Sequence, residues 1–255
     1  MIVIKNSKEI EAMRAGGKIL AGIMEKIAQE IAPGKNTERL DKLAEELVFA
    51  GGGTASFKGY GGDGERGFPA TICASVNDEV VHGIPAKDKI LKAGDVLKVD
   101  IGMKYKGLHT DMARTYAIGE CSRQARKLIQ ITEQSFWEAV KKMGPGKKLS
   151  AYSKAAQKYI EKNGFSVVRN LVGHGVGKDL HEDPQIPNYY NKKYQDVKLA
   201  PGMALALEPM VNAGGFETML GRDGWVFKTK DGGLSAHYEN TILITEKGVE
   251  VLTIL

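Results

Sequence analysis

Twice along this chain, a helix-forming stretch, a Pro-Gly stop, a second helix-forming stretch and a set of β-forming runs lead up to a carboxylate. The stops are Ala32-Pro33-Gly34-Lys35 and Gly144-Pro145-Gly146-Lys147. The runs into the acids also align. Leu91-Lys92-Ala93-Gly94-Asp95-Val96-Leu97-Lys98-Val99-Asp100 matches Leu199-Ala200-Pro201-Gly202-Met203-Ala204-Leu205-Ala206-Leu207-Glu208, each a turn, a Gly, an apolar strand and then an acid. Pro33 and Asp100 are 67 positions apart, and Pro145 and Glu208 are 63. The pattern predicts an internal duplication, roughly 7–118 and 122–250, within one domain. A pseudo-twofold axis would then place Asp100 and Glu208 on opposite sides of one central site. The alternative is chance, since helix, Pro-Gly, helix and strand is a common order.

The local signals fit this plan. Ile10, Met13, Ile19, Leu20, Ile23, Met24 and Ile27 recur at three- and four-residue steps and predict a helix over about 7–31 with Ser7 as its cap. Thr37 reads as the cap of a second helix, over about 38–50, which runs into Gly51-Gly52-Gly53. In the second half, helices are expected over about 124–142 and about 150–162, the latter ending at Asn163-Gly164. Residues 51–69 are rich in glycine and poor in apolar side chains, which predicts a long surface loop of the kind that is either functional or mobile.

The stretch from Val96 to Asp111 reads as two strands joined by a turn of Lys and Gly. With the turn centred between Tyr105 and Lys106, Asp100 and Asp111 are expected to face each other directly, their Cβ atoms about 4.5–5.5 Å apart. Two acids so close repel unless a cation lies between them. Taken alone, the pair reads as a solvated turn. Further chemistry along the chain shifts the balance towards a metal pair. His174 lies in Gly173-His174-Gly175-Val176-Gly177, where glycines let backbone and ligand approach closely. Glu208 closes a strand that carries only Ala204 and Ala206 on its own face. Glu239 stands within the β-forming run Ser235-Ala236-His237-Tyr238-Glu239-Asn240-Thr241-Ile242-Leu243-Ile244, where an unpaired buried charge would be costly. Asp100, Asp111, His174, Glu208 and Glu239 are therefore the candidate ligands. Four carboxylates and one imidazole suit Mn, Fe, Co or Zn, and the imidazole argues against an all-oxygen calcium site. Two such ions, about 3.5–4 Å apart, lower the pKa of a shared water and polarise a carbonyl. A neighbouring carboxylate can move the proton. His82, which alone would read as structural, and His181 are available to bind the substrate carbonyl.

Composition sets the outer limits. The 255 residues carry a formal charge of +5, and the only cysteines are Cys73 and Cys121, so no disulfide framework is indicated. The first residues have no signal-peptide pattern, and no apolar run nears the ~18 residues needed to span a bilayer. A cytoplasmic, monomeric protein is the expectation. The basic pairs Lys141-Lys142, Lys147-Lys148 and Lys192-Lys193 read as solvated surface with at most a weak pull on a polyanion such as the ribosome, since no nucleic-acid motif accompanies them.

Taken in order, Val76-Asn77-Asp78-Glu79-Val80-Val81-His82-Gly83-Ile84-Pro85, Asp100 with Asp111, Gly173-His174-Gly175-Val176-Gly177 with His181-Glu182-Asp183-Pro184, Leu207-Glu208-Pro209, and Ser235-Ala236-His237-Tyr238-Glu239-Asn240-Thr241 resemble type 1 methionine aminopeptidase, over almost the whole chain. The resemblance implies the α/β pita-bread fold, two divalent metal ions, and removal of the initiator methionine from nascent chains with a small second residue. It implies Asp111 and Glu239 as shared ligands, Asp100 completing one metal's shell, and His174 with Glu208 the other's. Glu208 would also shuttle the proton, and His82 and His181 would contact the substrate. Phe68, Cys73 and Trp225 would line the methionine pocket; ordinary packing is the other reading of these three. With no zinc-binding extension before Met1, the likeness is to the short bacterial form. No long insertion separates His181 from Glu208, as it would in the type 2 form. The nearest rival is a proline-specific peptidase of the same fold, an Xaa-Pro aminopeptidase or prolidase. Two departures from the family pattern stand out. Glu65 and Arg66 precede Gly67-Phe68-Pro69 where an aromatic residue and a His are usual, and Asn240 replaces the His usual after the bridging Glu.

Overall fold

A computed structural model describes residues 2–62 and 67–255; the departure at Glu65 and Arg66 lies outside the described residues. The first half opens with two helices, α1 (Ser7–Glu30) and α2 (Thr37–Ala50). The cap of α1 is Asn6 rather than Ser7. The Asn6 side chain accepts from Glu9 N, and Glu9 reaches back to Asn6 N, a reciprocal box that a cap at Ser7 could not form. Asn36, not Thr37, caps α2, its side chain accepting from Arg39 N without a reciprocal bond. Then come β1 (Thr54–Ala55), β2 (Ile72–Val76), β3 (Glu79–Val81), β4 (Val96–Tyr105) and β5 (Leu108–Ala117). The second half begins with α3 (Arg123–Val140) and α4 (Ser150–Lys162). Its strands are β6 (Ser166–Val167), β7 (Gly173–Gly175), β8 (Glu182–Ile186), β9 (Ala204–Leu207), β10 (Met210–Asn212), β11 (Thr218–Leu220), β12 (Phe227–Thr229), β13 (Ser235–His237), β14 (Glu239–Thr245) and β15 (Gly248–Val251).

One curved sheet organises the molecule. Its strands run β1-β4-β5-β14-β9-β7-β8, with β2 also on β4 and β15 also on β14, and every pairing is antiparallel. Alternation along each strand separates its two faces. On β4, Leu97, Val99 and Ile101 pack under α1 and α2 with Leu20, Met24, Ile27, Leu40 and Val48. On β9 and β14, Leu205, Leu207, Ile242 and Ile244 pack under α3 and α4 with Phe136, Tyr152 and Ala156. The helices thus cover one face of the sheet, and the positions between these apolar residues face the other way. Two short three-stranded sheets, β13-β10-β6 and β11-β12-β3, close the rim. The α/β pita-bread architecture implied by the resemblance is the architecture found.

The acid hairpin differs from expectation by one residue. Tyr105 pairs with Leu108, which leaves Lys106-Gly107 as the turn. Both turn residues have positive φ, 48° and 82°, the geometry that matches a two-residue hairpin to the twist of its strands. Asp100 therefore faces Ala113, and Asp111 faces Gly102. The two acids are diagonal neighbours, not directly opposed. A slip of one residue in the turn's centre moves each partner by two, so both remain on one face.

Candidate metal centre

The five candidate ligands come from five successive neighbours in the sheet. Asp100 is on β4, Asp111 on β5, Glu239 opens β14, Glu208 follows the last residue of β9, and His174 is the middle residue of β7. Ala113 explains how two of them meet. It pairs with Asp100 on one side and with Glu239 on the other, and its methyl leaves the space above it to their carboxylates. Ala206 does the same in the other half, lying opposite His174. Continuing the β9–β14 register one step past Leu207 and Asn240 sets Glu208 opposite Glu239.

Local contacts fix the backbone beneath these groups. Asp111 N donates to Thr241 Oγ1 at 2.8 Å, and that hydroxyl donates back to Asp111 O at 2.9 Å. Arg114 donates to the Glu239 carbonyl at 2.6 Å and to Asn240 Oδ1 at 2.8 Å, and lies over the Tyr238 ring at 4.3 Å. Asn240, the departure from the family pattern, is held through this arginine and Thr253 Oγ1. Around His174 the strands come too close for any side chain but hydrogen. A Cβ on Gly173 would lie 2.5 Å from Ala206 O, and one on Gly175 would run into Asp183 O. His174 Nδ1 donates to Gly175 O at 2.9 Å, so its lone pair is on Nε2, 3.7 Å from Glu208 Oε1.

Buried acids this close hold their protons. Burial, then repulsion by Asp111 and Glu208, pushes Asp100 well above the usual carboxylate range. Burial raises Asp111 to about 7, and burial followed by neighbouring charge raises Glu208 and Glu239 strongly. Burial lowers His174 to about 3 and His82 to about 4, so both imidazoles are neutral. Asp100 Oδ1, Asp111 Oδ1 and Glu239 Oε1 are buried with no hydrogen-bond partner. Ligand atoms of Asp111, His174 and Glu239 gather within 4.8 Å of one another, and so do those of Asp100, His237 and Glu239. Unpartnered carboxyl oxygens, ready to exchange their protons for a cation, and neutral imidazoles, turned towards each other on rigid strands, form a donor set that fits divalent metal ions.

These acids form the floor of a cavity of about 540 Å³, including the space open to solvent at its mouth. Its lining contains all ten residues singled out from the sequence: Phe68, Cys73, His82, Asp100, Asp111, His174, His181, Glu208, Trp225 and Glu239. Phe68 and Trp225 meet edge to face at 5.4 Å and pack with Phe57, Cys73 and Leu180 into an apolar wall. Burial and the nearby acids push the Cys73 thiol well up, so it stays neutral. His82 sits just beyond β3 with a φ of 59°, and Gly83 behind it has no room for a side chain beneath Ala74 O. The sequence reading missed four residues here. Phe57, Tyr60 and Leu180 join the lining, and the Tyr60 hydroxyl hydrogen-bonds His181 Nδ1. Tyr60 lies in the glycine-rich stretch expected to be either functional or mobile, where no pattern singles out one side chain. His237 had a usable signal, since it stands two positions before Glu239 in a β-forming run and alternation puts both on one face.

The curved sheet, its helical cover and the buried donor set define a metal-dependent hydrolase. The sequence profile of metallopeptidase family M24 matches residues 11–246, and the chain belongs to that family. Methionine aminopeptidase of Clostridium acetobutylicum is 46% identical over 254 residues, covering 100% of this chain and 99% of that protein. Methionine aminopeptidase 1 of Bacillus subtilis is 46% identical over 253 residues, 99% of each. The crystal structure of methionine aminopeptidase from Thermotoga maritima superposes with a TM-score of 0.95 at 43% identity over 100% of both chains. Prolidase from Pyrococcus furiosus reaches a TM-score of 0.79 at 23% identity and is covered over only 66% of its length, a likeness of fold alone.

Proposed function

We propose that this metallopeptidase removes the N-terminal methionine from nascent polypeptides whose second residue is small. The observation that carries the reading is the junction of two environments in one cavity: unpaired buried acids on the floor and the Phe57, Phe68, Cys73, Leu180 and Trp225 wall beside them. A slot of that character takes an unbranched thioether through dispersion and aromatic contacts. Two divalent ions, of Co, Mn, Fe or Zn, would be held with Asp111 and Glu239 shared, Asp100 on one side, and His174 with Glu208 on the other. When bound, they lower the pKa of water and polarise a carbonyl.

The chain's own residues do the rest. Glu208 takes the proton from the attacking water and passes it to the leaving amine; a buried carboxyl with a raised pKa suits both transfers. His82 and His181, neutral in their pocket, offer N–H groups to the substrate carbonyl. The Tyr60 hydroxyl on His181 Nδ1 orients that ring. The chain is a single catalytic domain with an internal duplication, 7–118 and 122–250, supported by the paired helical covers of the sheet. Two buried free cysteines suit a cytoplasmic setting, and the surface lysine pairs allow a weak attraction to the ribosome. No helix among the described residues is long and apolar enough to cross a membrane.

The test is hydrolysis of Met-Gly-Met-Met against Ala-Pro-Ala by protein stripped with chelator and reloaded with Co, Mn, Fe or Zn. Metal-dependent release of methionine from the first peptide is expected. Preferential cleavage of the proline peptide would assign the chain to the rival proline-specific class.

A further inference from the structure

Among the described residues, His237 is a buried group at this centre that has no task in the reading above. It is 1% exposed, yet neither ring nitrogen has a hydrogen-bond partner. Buried polar atoms are nearly always paired, so two orphans on one imidazole require an explanation. Its Nε2 lies 3.6 Å from Glu208 Oε2 and 3.6 Å from Glu239 Oε2, too far for hydrogen bonds. Donor atoms on one tetrahedral ion with bonds of about 2.0–2.2 Å are separated by roughly 3.4 Å. The spacing thus matches donors facing a common cation. His174 Nε2 stands off the other oxygen of Glu208 in the same way, at 3.7 Å.

The backbone supports the same assignment. His237 pairs with Met210, and this register is the one that sets Glu208 opposite Glu239 and pairs Asn240 with Leu207. The ladder therefore runs on through the break at Pro209 and Tyr238, and it delivers His237 to the face that carries Glu239. Asp100, His237 and Glu239 form one buried cluster of ligand atoms, and Asp111, His174 and Glu239 form another, with Glu239 common to both.

We propose that His237 is a second imidazole ligand of the metal centre, completing with Asp100 and Glu239 the position opposite that of His174. The proposal rests on the metal-centre reading above. It also sets a preference: with an imidazole at each position, the centre favours zinc, cobalt or iron over manganese, which prefers oxygen donors.

Calorimetric titration of metal-free protein with zinc chloride and with manganese chloride tests this. Wild type is compared with His237→Gln, and His174→Ala serves as the control. In His237→Gln, zinc affinity at one position should fall roughly tenfold or more, while manganese affinity changes less than about threefold. The visible absorption of the cobalt-loaded protein should shift as a nitrogen ligand is lost. Unchanged zinc affinity and cobalt spectrum in His237→Gln, with zinc binding weakened in His174→Ala, would overturn the proposal and leave the metal centre standing. Equal losses for zinc and manganese would also overturn it, because lost packing does not distinguish metals. If both variants bind zinc like wild type, the metal-centre reading itself fails. Should His237→Gln not fold, nitrogen–cadmium coupling in NMR of labelled, cadmium-loaded wild type decides the matter. Coupling at both His174 and His237 is expected, and coupling at His174 alone would refute the assignment.

Discussion

Lys5 and Glu182, 177 positions apart in the chain, meet at 2.6 Å with side chains only 2% and 5% exposed. The pair ties the segment before α1 to the loop that carries His181. Glu182 also accepts Lys178 N through its other oxygen at 2.7 Å, so one carboxylate fixes the turn just before the imidazole. Breaking a buried pair from one side leaves an uncompensated charge, at a cost of about 3–5 kcal/mol. Lys5→Met should therefore lower the midpoint of thermal unfolding by roughly 6–20 °C, at 2–4 °C per kcal/mol for a chain of this size. Lys5→Met combined with Glu182→Gln should recover much of that loss, because the amide still accepts from Lys178 N. A single variant as stable as wild type would show that the pair adds nothing.

Asp111 is proposed as a shared ligand, and the consequence is specific to its charge. Asn offers one neutral oxygen where the carboxylate offers two anionic ones. Asp111→Asn should weaken binding of both metal equivalents by roughly a hundredfold or more, beyond what loss of a supporting contact gives. Metal content measured after dialysis reports this directly. Two tightly bound equivalents in the variant would remove Asp111 from its bridging role.

The site was more legible than the hairpin that holds it. The candidate ligands announce themselves by type: an acid after Ala204 and Ala206, a histidine between glycines, an acid in a β-forming run. Those cues survive a shift in register, which is why Asp100 and Asp111 belong to one face although their direct partners are Ala113 and Gly102. The turn was misplaced because Lys106, a residue with a side chain, adopts the left-handed conformation, and local pattern assigns that only to Gly107. The caps were misplaced as well. Asn6 and Asn36 each stand one residue before a Ser or Thr that can also cap; at α1 the deciding signal is Glu9, which sits at the box position for Asn6 and not for Ser7. Tyr60 was beyond reach, since its partner His181 is remote in sequence and joined to it only by the closure of the fold.

Glu208 should be more important for turnover than for metal. Its Oε1 faces His174 and its Oε2 faces His237, at 3.7 and 3.6 Å, which leaves it at the centre of the donor set. Glu208→Gln keeps the shape and one neutral oxygen but cannot carry a proton. The expected outcome is a fall in kcat of about 10²- to 10⁴-fold with less than a tenfold loss of metal affinity. Steady-state kinetics at saturating metal, beside a direct binding titration, separate the two. Parallel losses would make Glu208 a ligand and nothing more.

The linkage between protons and metal gives the last prediction. In the metal-free protein the folded pKa values of Asp100, Asp111, Glu208 and Glu239 are raised, Asp111 to about 7, against about 4 for unfolded carboxyls. A raised folded value means that the native state binds the proton more tightly. The contribution of these acids is therefore fully present below about pH 4 and is lost as pH rises through the folded values. His174 and His237, both depressed to about 3, act in the opposite sense: their contribution is present above about pH 6.5 and is lost as pH falls. Metal replaces the protons on the acids and removes their part of this dependence. With free metal at about 100 times Kd, the stabilisation is about 2.7 kcal/mol, or roughly 5–10 °C in Tm. The rise in Tm on adding zinc at fixed concentration should accordingly be larger at pH 8 than at pH 6, because at the lower pH protons occupy the acids while the imidazoles stay neutral at both. Thermal unfolding of stripped and loaded protein across that range measures it. A rise that is equal at both pH values would mean that the buried acids are not where the metal binds.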